Sequence, residues 1–272
     1  MPTTRWLVTG STGQLGTYLL DALRDQSVTA WGGKSSVDLT DPDAVAVAWS
    51  ATKPDIVIHA AAMARIDECY RDPVTAHRTN VDATTHLAAY GARIVLVSTD
   101  LVFDGECAPY REEDHVSPLS VYGRTKADAE AAVRCVPNSA IVRVSLLTGP
   151  SRNGRPNFWD KQADAMRLGR PVTLFADEWR TPIGYLAAAQ AIVAIAQSDA
   201  TGTWHVGGPE RLSRLEMGQR LAKSIGIAAP TIASASRLTG ASEPRPRDVS
   251  LDVAKWRSAF PNTAWPTFEK VW

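Results

Sequence analysis

Apolar residues recur along the chain in short dense runs separated by stretches of helical spacing. Trp6-Leu7-Val8, Val28 to Trp31, Asp55-Ile-Val-Ile-His59, Arg93-Ile-Val-Leu-Val97 and Ala140-Ile-Val-Arg-Val144 have the texture of strands buried on both faces. Between them, Gln14 to Leu23 carries helical spacing. Asp41-Pro42 supplies an N-cap and a first-turn proline for a helix that ends before Pro54. Asp72-Pro73 opens another helix, which runs to the Gly91 stop, and Pro118 marks the boundary before a helix holding Tyr122 and Lys126. Strand and helix in alternation predict an α/β fold with a doubly wound parallel sheet.

After Gly149 the pattern changes. Pro150-Ser-Arg-Asn-Gly-Arg-Pro156-Asn is polar and rich in chain breakers, and a helix from Phe158 to Leu168 follows. The division predicted is a first domain over residues 1–149 and a smaller carboxyl-terminal lobe over 150–272. A helix near residues 185–197 is apolar almost all round and is expected to return to the first domain's core. Ser213-Arg-Leu-Glu216 has the form of a capping box for a helix stopping at Gly226.

A chain of 272 residues can bury a full core, and its 29 basic and 29 acidic residues contain no run of one sign. Neither nucleic acid nor an anionic membrane surface is implied as a partner, which leaves small molecules. No stretch is long enough to span a bilayer and no cleavable leader is evident, so a cytoplasmic location is expected. Three cysteines, Cys69, Cys107 and Cys135, suggest reduced thiols, and five histidines without ligand spacing give no reason to expect a metal.

The loop Thr9-Gly10-Ser-Thr12-Gly13-Gln14-Leu15-Gly16 follows the first strand and opens the first helix. Glycines there let backbone amides approach a dinucleotide's pyrophosphate at a helix start, although the same spacing would serve a tight turn. The second strand ends in Gly32-Gly33-Lys34-Ser35-Ser36, without the carboxylate that disfavours a 2′-phosphate. Lys34 and Ser35 are therefore read as favouring NADPH, with NADH possible; a solvated turn lysine is the plain alternative. Asp38 and Leu39 are candidates for the adenine side. Ala60, Ala61 and Ala62 offer little bulk against a cofactor. Tyr122 and Lys126, four apart on one helix, can share a face, so that an ammonium would favour the ionised phenol and bring its proton transfer toward neutrality.

With the glycine loop, His59-Ala-Ala-Ala62, Asn80, Ser98-Thr99-Asp100 and Tyr122-x-x-x-Lys126 in this order, the chain resembles the extended short-chain dehydrogenase/reductase superfamily. Within it, Thr99-Asp-Leu-Val-Phe-Asp-Gly105, Pro109 to Asp114, Ser117 to Lys126 and Ile66-Asp-Glu-Cys look like the dTDP-4-dehydrorhamnose reductase subgroup. The likeness continues through Arg180-Thr-Pro182 and Arg245-Pro-Arg-Asp248. It implies a Rossmann domain with a carboxyl-terminal substrate lobe, Tyr122 as catalytic acid, Lys126 on the nicotinamide ribose, Thr99 on the reacting oxygen and Asn80 near the cofactor. Asp100, Arg180 and Arg245 become substrate candidates, Arg245 for the diphosphate of a nucleotide sugar. The resemblance also implies pairing through helices as a homodimer.

The reaction expected is reduction of a ketone, foremost the 4-keto group of a nucleotide-linked deoxysugar. Related dehydratases carry an acidic residue after the Thr-Asp pair; Leu101 stands there instead, against dehydration and also unlike the tyrosine frequent in the subgroup. Reduction of another small ketone and a non-catalytic NADP-binding regulatory subunit are the competing readings. The Arg152 to Arg155 loop is a candidate to close over a substrate, and Trp159 and Trp179 are candidates to stack on a base or sugar.

Overall fold

The computed structural model describes residues 4–239 and 243–272. The first half alternates as expected: β1 (Trp6–Thr9), α1 (Gln14–Ala22), β2 (Val28–Trp31), α2 (Pro42–Thr52) and β3 (Ile56–His59). Then come α3 (Ile66–Arg71), α4 (Pro73–His77), a π-helical turn (Arg78–Asp82), α5 (Ala83–Ala88), β4 (Arg93–Thr99), a 3₁₀ turn (Asp100–Val102), α6 (Val121–Arg134) and β5 (Ala140–Val144). The single helix expected from Asp72 to Gly91 is interrupted by the π-helical turn. A widened turn of this kind is frequent at functional sites. Here it carries the buried Asn80, whose side chain bonds the backbone of Met63.

The second half runs β6 (Leu147–Thr148), α7 (Phe158–Arg167), β7 (Val172–Phe175), β8 (Trp179–Arg180), β9 (Ile183–Gly184), α8 (Tyr185–Gln197) and β10 (Gly202–Val206). It closes with β11 (Leu212–Ser213), α9 (Arg214–Ser224), β12 (Ile232–Ala235) and α10 (Ala254–Ala259). Ser213 and Glu216 make the capping box anticipated for α9.

Six strands form one sheet in the order β2-β1-β3-β4-β5-β10, every neighbouring pair parallel. The order reverses between β1 and β3, and the glycine loop leaves the carboxyl end of β1 at that switch point, where such sheets open a ligand crevice. In β1, Trp6 and Val8 face a core shared with α1 and α8, whereas Leu7 faces one shared with α2, α5 and α6. The two-residue period of a strand thus covers both faces of the sheet. Trp159 is buried in a separate cluster with Met217, Leu221 and Phe268, and its indole donates to the Leu147 carbonyl. That packing overturns the expectation that Trp159 stacks on a base or sugar. No helix among the described residues is long and apolar enough to cross a membrane.

The sixth strand was not legible in the sequence. β10 pairs with β5 although it contains Thr203 and the fully buried His205. The imidazole lies 3.1 Å from the Tyr110 carbonyl and 3.3 Å from Arg143. Arg143 in turn makes a two-pronged contact with Glu130 of α6, at 2.8 and 3.0 Å. The buried His205 is tolerated in this strand because its ring nitrogens find partners, and Thr203 is only half-buried.

Candidate active site

At the switch point Gly10 has φ +67, and a Cβ there would lie 2.6 Å from the Ala61 nitrogen. Absence of a side chain lets the Ala60-Ala61 backbone close against the loop. Gly13 caps α1 without any side-chain acceptor, and no acidic residue stands in the first turn. The amides at this helix start therefore face the crevice without a protein anion, an arrangement that fits a dinucleotide diphosphate. Beside the loop, Gly10, Trp31, Gly33, Lys34, Val37, Asp38, Leu39, Thr40, Ala61 and Thr79 line a cleft of about 90 Å³.

Lys34, Asp38, Leu39 and Ala61, all expected at the cofactor, meet in this cleft, whereas Ser35 is exposed outside its lining and Ala62 lies beyond it. Lys34 is 3.6 Å from Asp38. Hydrogen bonds from Thr40 hold the Asp38 carboxyl below the usual range. Leu15 turns into the core, and the Thr12 hydroxyl donates to the Gly32 carbonyl. The Gln14 side chain bonds Ser151, Asn153 and Arg155 of the loop after β6. That loop, a candidate to close over a substrate, is therefore held against the glycine loop.

Thr99 ends β4 and its hydroxyl accepts from the Leu101 amide at 3.2 Å. Helix α6 starts just opposite: the Ser120 hydroxyl accepts from the Gly123 amide at 3.1 Å, and Glu243 accepts from the Val121 amide at 2.8 Å. Gly123 packs against the Leu101 carbonyl where no Cβ would fit. This close approach brings Tyr122 beside Thr99. Burial, Asp100 and Cys69 all raise the Tyr122 phenol well above its ordinary range, and Thr99 and Arg180 oppose them only in part.

Lys126, expected to favour the ionised phenol, does not bring the Tyr122 phenol down to neutrality, since burial keeps that phenol above its ordinary range. Lys126 is itself buried, and its charge is felt by His59 and drawn on by Glu130. Burial pushes Lys126 down to about 8, against the pull of Glu130. A folded-state value below the unfolded one of about 10.4 means that the buried ammonium costs stability at neutral pH, relieved as pH rises through about 8. Lys126→Met should therefore be more stable than wild type near pH ~7, by roughly 2–3 kcal/mol, with the gain shrinking between pH ~8 and ~10. Thermal melts across that range check it; a gain independent of pH would contradict the assignment.

Asn80, expected near the cofactor, commits its side chain to protein groups. Its Oδ1 accepts from the Met63 amide at 2.8 Å, and its Nδ2 donates to the Met63 carbonyl and to Thr125 of α6. The Asp100 carboxylate is likewise occupied: one oxygen takes Arg180 at 2.7 Å and Thr99 at 3.2 Å, and the other takes Ser145 at 3.0 Å. Asp100 thus orients the site from below instead of facing a substrate.

Arg180 continues into an ion cluster absent from the sequence reading. Glu178, only 3% exposed at its side chain, lies 3.3 Å from Arg180, 3.3 Å from Arg245 and 3.9 Å from Arg214. Burial alone would raise the Glu178 carboxyl, but the three guanidiniums more than offset it and hold it below its usual value. Burial pushes Arg214, stacked over Phe158 and Trp159, down to about 10. Three guanidiniums against Asp100 and Glu178 leave excess positive charge. Arg180 Nε, Arg214 Nη1 and Arg245 Nε have no hydrogen-bond partner among the described residues. Unmet buried donors of this kind suit an anion with several oxygens.

The family described as the RmlD substrate binding domain matches residues 4–270. The chain belongs to this family. It is 33% identical over 287 residues to dTDP-4-dehydrorhamnose reductase from Streptomyces griseus, with 95% of this chain and 88% of the relative covered. It is 28% identical to methionine adenosyltransferase 2 subunit beta from Pongo abelii, over 100% of this chain and 91% of that one. The solved dTDP-4-dehydrorhamnose reductase from Bacillus anthracis in complex with NADP superposes with a TM-score of 0.90 at 24% identity, covering 99% and 97% of the two chains, and establishes the shared fold.

Of the residues bearing on this crevice, Glu178, Arg214 and Thr79 are absent from the sequence reading, and Cys69 enters it only as a reduced thiol and within the Ile66-Asp-Glu-Cys motif. Glu178 stands immediately before β8 and two residues before Arg180, a spacing that in extended chain puts both side chains on one side. Arg214 is the first residue of α9, behind its cap. Nothing local marks it as a cluster member, because its partners come from other elements.

Proposed function

We propose that the chain is an NADPH-dependent reductase of the 4-keto group of a nucleotide-linked deoxysugar. The observation that carries the reading is Tyr122 beside Thr99, buried at the carboxyl end of the sheet that also bears the glycine loop. Bound NADPH supplies the hydride. Tyr122 donates its proton to the oxygen that gains charge, and a phenol held above its ordinary pKa is in the form that donation requires. Thr99 aligns the carbonyl and hydrogen-bonds the growing negative charge, which accelerates the step because that bond strengthens in the transition state. Lys126 binds the nicotinamide ribose, and Lys34, with a side chain 70% exposed, is free to leave Asp38 for a 2′-phosphate. Arg214 and Arg245 take the substrate diphosphate, with Glu178 and the Asp100–Arg180 pair fixing their positions. Leu101 leaves no acid next to Asp100 for elimination, in keeping with reduction instead of dehydration.

The test is NADPH consumption with freshly generated dTDP-4-keto-6-deoxyglucose, with and without the 3,5-epimerase. Turnover in either arm supports the reading and tells which epimer is accepted. NADPH binding without turnover in both arms overturns the sugar substrate. Likeness to the adenosyltransferase subunit along the whole chain favours a second reading, a cofactor-binding regulatory subunit. That reading expects no turnover and the same function from Tyr122→Phe as from wild type.

A further inference from the structure

Residues 150–157 connect β6 to α7 and cross the mouth of the glycine loop. Polar and rich in breakers, the segment is nevertheless held from within: the Ser151 hydroxyl lies 3.1 Å from Asn153 Oδ1 and 2.8 Å from the Arg155 carbonyl. Asn157 Nδ2 donates to the Gly149 carbonyl at 2.9 Å. It is also held from the Rossmann side. Gln14 Nε2 lies 2.8 Å from Asn153 Oδ1 and 2.7 Å from the Arg155 carbonyl, and the Tyr18 hydroxyl donates to the Pro150 carbonyl at 2.8 Å. Asn153 Nδ2 and Arg155 Nη2 both donate to the carbonyl of Thr12, each at 3.0 Å.

The two arginines of this strap are not equivalent. Arg152 stacks on Tyr18 and pairs with Asp21 at 3.1 Å, so its charge is already matched. Arg155 has no carboxylate within ion-pair distance among the described residues. One of its five N–H groups is fixed to Thr12, on the rim of the loop whose amides open at the start of α1. A cation without a counter-ion, anchored beside uncapped helix amides, is poised for the anion those amides receive.

We propose that Arg155 is a ligand of the dinucleotide's diphosphate, and that Gln14 and Asn153 are positioning residues that hold the strap over it. The inference rests on the dinucleotide reading given above. It assigns the strap to the cofactor because the groups that hold Arg152, Asn153 and Arg155 from outside the strap, Thr12, Gln14, Tyr18 and Asp21, belong to the glycine loop or to α1, whereas Arg214 and Arg245 cluster instead around Glu178.

The test is equilibrium binding of NADPH, followed by its fluorescence, in the full chain. Arg155→Gln, which keeps a polar side chain but removes the charge, should weaken binding by about tenfold, consistent with one charge-assisted hydrogen bond. The difference from wild type should narrow at high salt, since the site is exposed. Arg155→Lys should recover part of the loss. Arg24→Gln, which removes a charge beyond the far end of α1, should bind as wild type does. In competition, ADP-ribose should show the same loss in Arg155→Gln, and adenosine 2′-monophosphate, which has no diphosphate, should show none. NADPH affinity in Arg155→Gln within about twofold of wild type, or an equal loss for adenosine 2′-monophosphate, overturns the assignment alone. A wild type that binds neither NADPH nor NADH overturns the dinucleotide reading with it.

Discussion

Replacing Tyr122 with phenylalanine is expected to lower the rate of keto reduction by about 10²- to 10⁴-fold, the usual contribution of a positioned proton donor, with NADPH affinity close to that of wild type. The substitution removes one oxygen and leaves the ring, the Gly123 contact with Leu101 and the Ser120 cap in place. The pH dependence carries a second expectation. A phenol raised by burial, Asp100 and Cys69 stays protonated through the alkaline range, so loss of the acid does not limit the rate there. The alkaline fall instead follows Lys126, whose charge is lost as pH rises through about 8. Steady-state rates of wild type and variant over pH, with a separate titration of NADPH binding, measure both. An unchanged rate in the variant would remove Tyr122 from the chemistry and turn attention to the regulatory reading.

Glu178→Gln is expected to destabilise the fold by about 3–5 kcal/mol, the range seen when one partner of a buried ion pair is removed. The carboxylate is the shared counter-ion of Arg180, Arg214 and Arg245, and the side-chain exposures of Arg180 and Arg214 are only 5% and 12%. Glutamine preserves shape and one acceptor but leaves three guanidiniums facing one another with Asp100 as the remaining anion. For a chain of this size the melting temperature should fall by on the order of 10 °C. A nucleoside diphosphate added in excess should restore part of that loss, because it binds the folded state and supplies the missing negative charge. A melt within about 2 °C of wild type would mean that the cluster is far better solvated than its burial indicates.

Both predictions involve residues of unequal visibility in the sequence. Tyr122, Lys126, Thr99 and the three glycines stand in short segments whose local order carries the signal, and the strands around them are apolar enough to be read directly. The burial of Lys126 was not readable, because four-residue spacing on a helix fixes a shared face and says nothing about how deeply a long side chain is covered by the rest of the fold. Glu178, Arg214 and Arg245 come from the residue before β8, a helix start and a late loop; their meeting is a product of tertiary packing. For the same reason the sequence does not show that the side chains of Asp100 and Asn80 are occupied by Arg180, Ser145, Met63 and Thr125. β10 is hidden in the sequence because His205 breaks the apolar pattern, and its partners, Tyr110 and Arg143, are distant along the chain.

The late arrival of β10 and α8 bears on how the protein comes to exist in a cell. During synthesis, β5 emerges with one edge unpaired, and the apolar face formed by Tyr18, Leu19 and Leu23 remains uncovered until Ala188, Ile192 and Ile195 follow. Roughly three quarters of the chain must leave the ribosome before that face is closed, a span of ten seconds or more at ordinary elongation rates. Throughout it the nascent chain presents an adhesive strand edge and a bare hydrophobic surface together, the combination that recruits chaperones and invites aggregation. The yield of active protein is therefore governed by what protects this intermediate as much as by the stability of the finished fold.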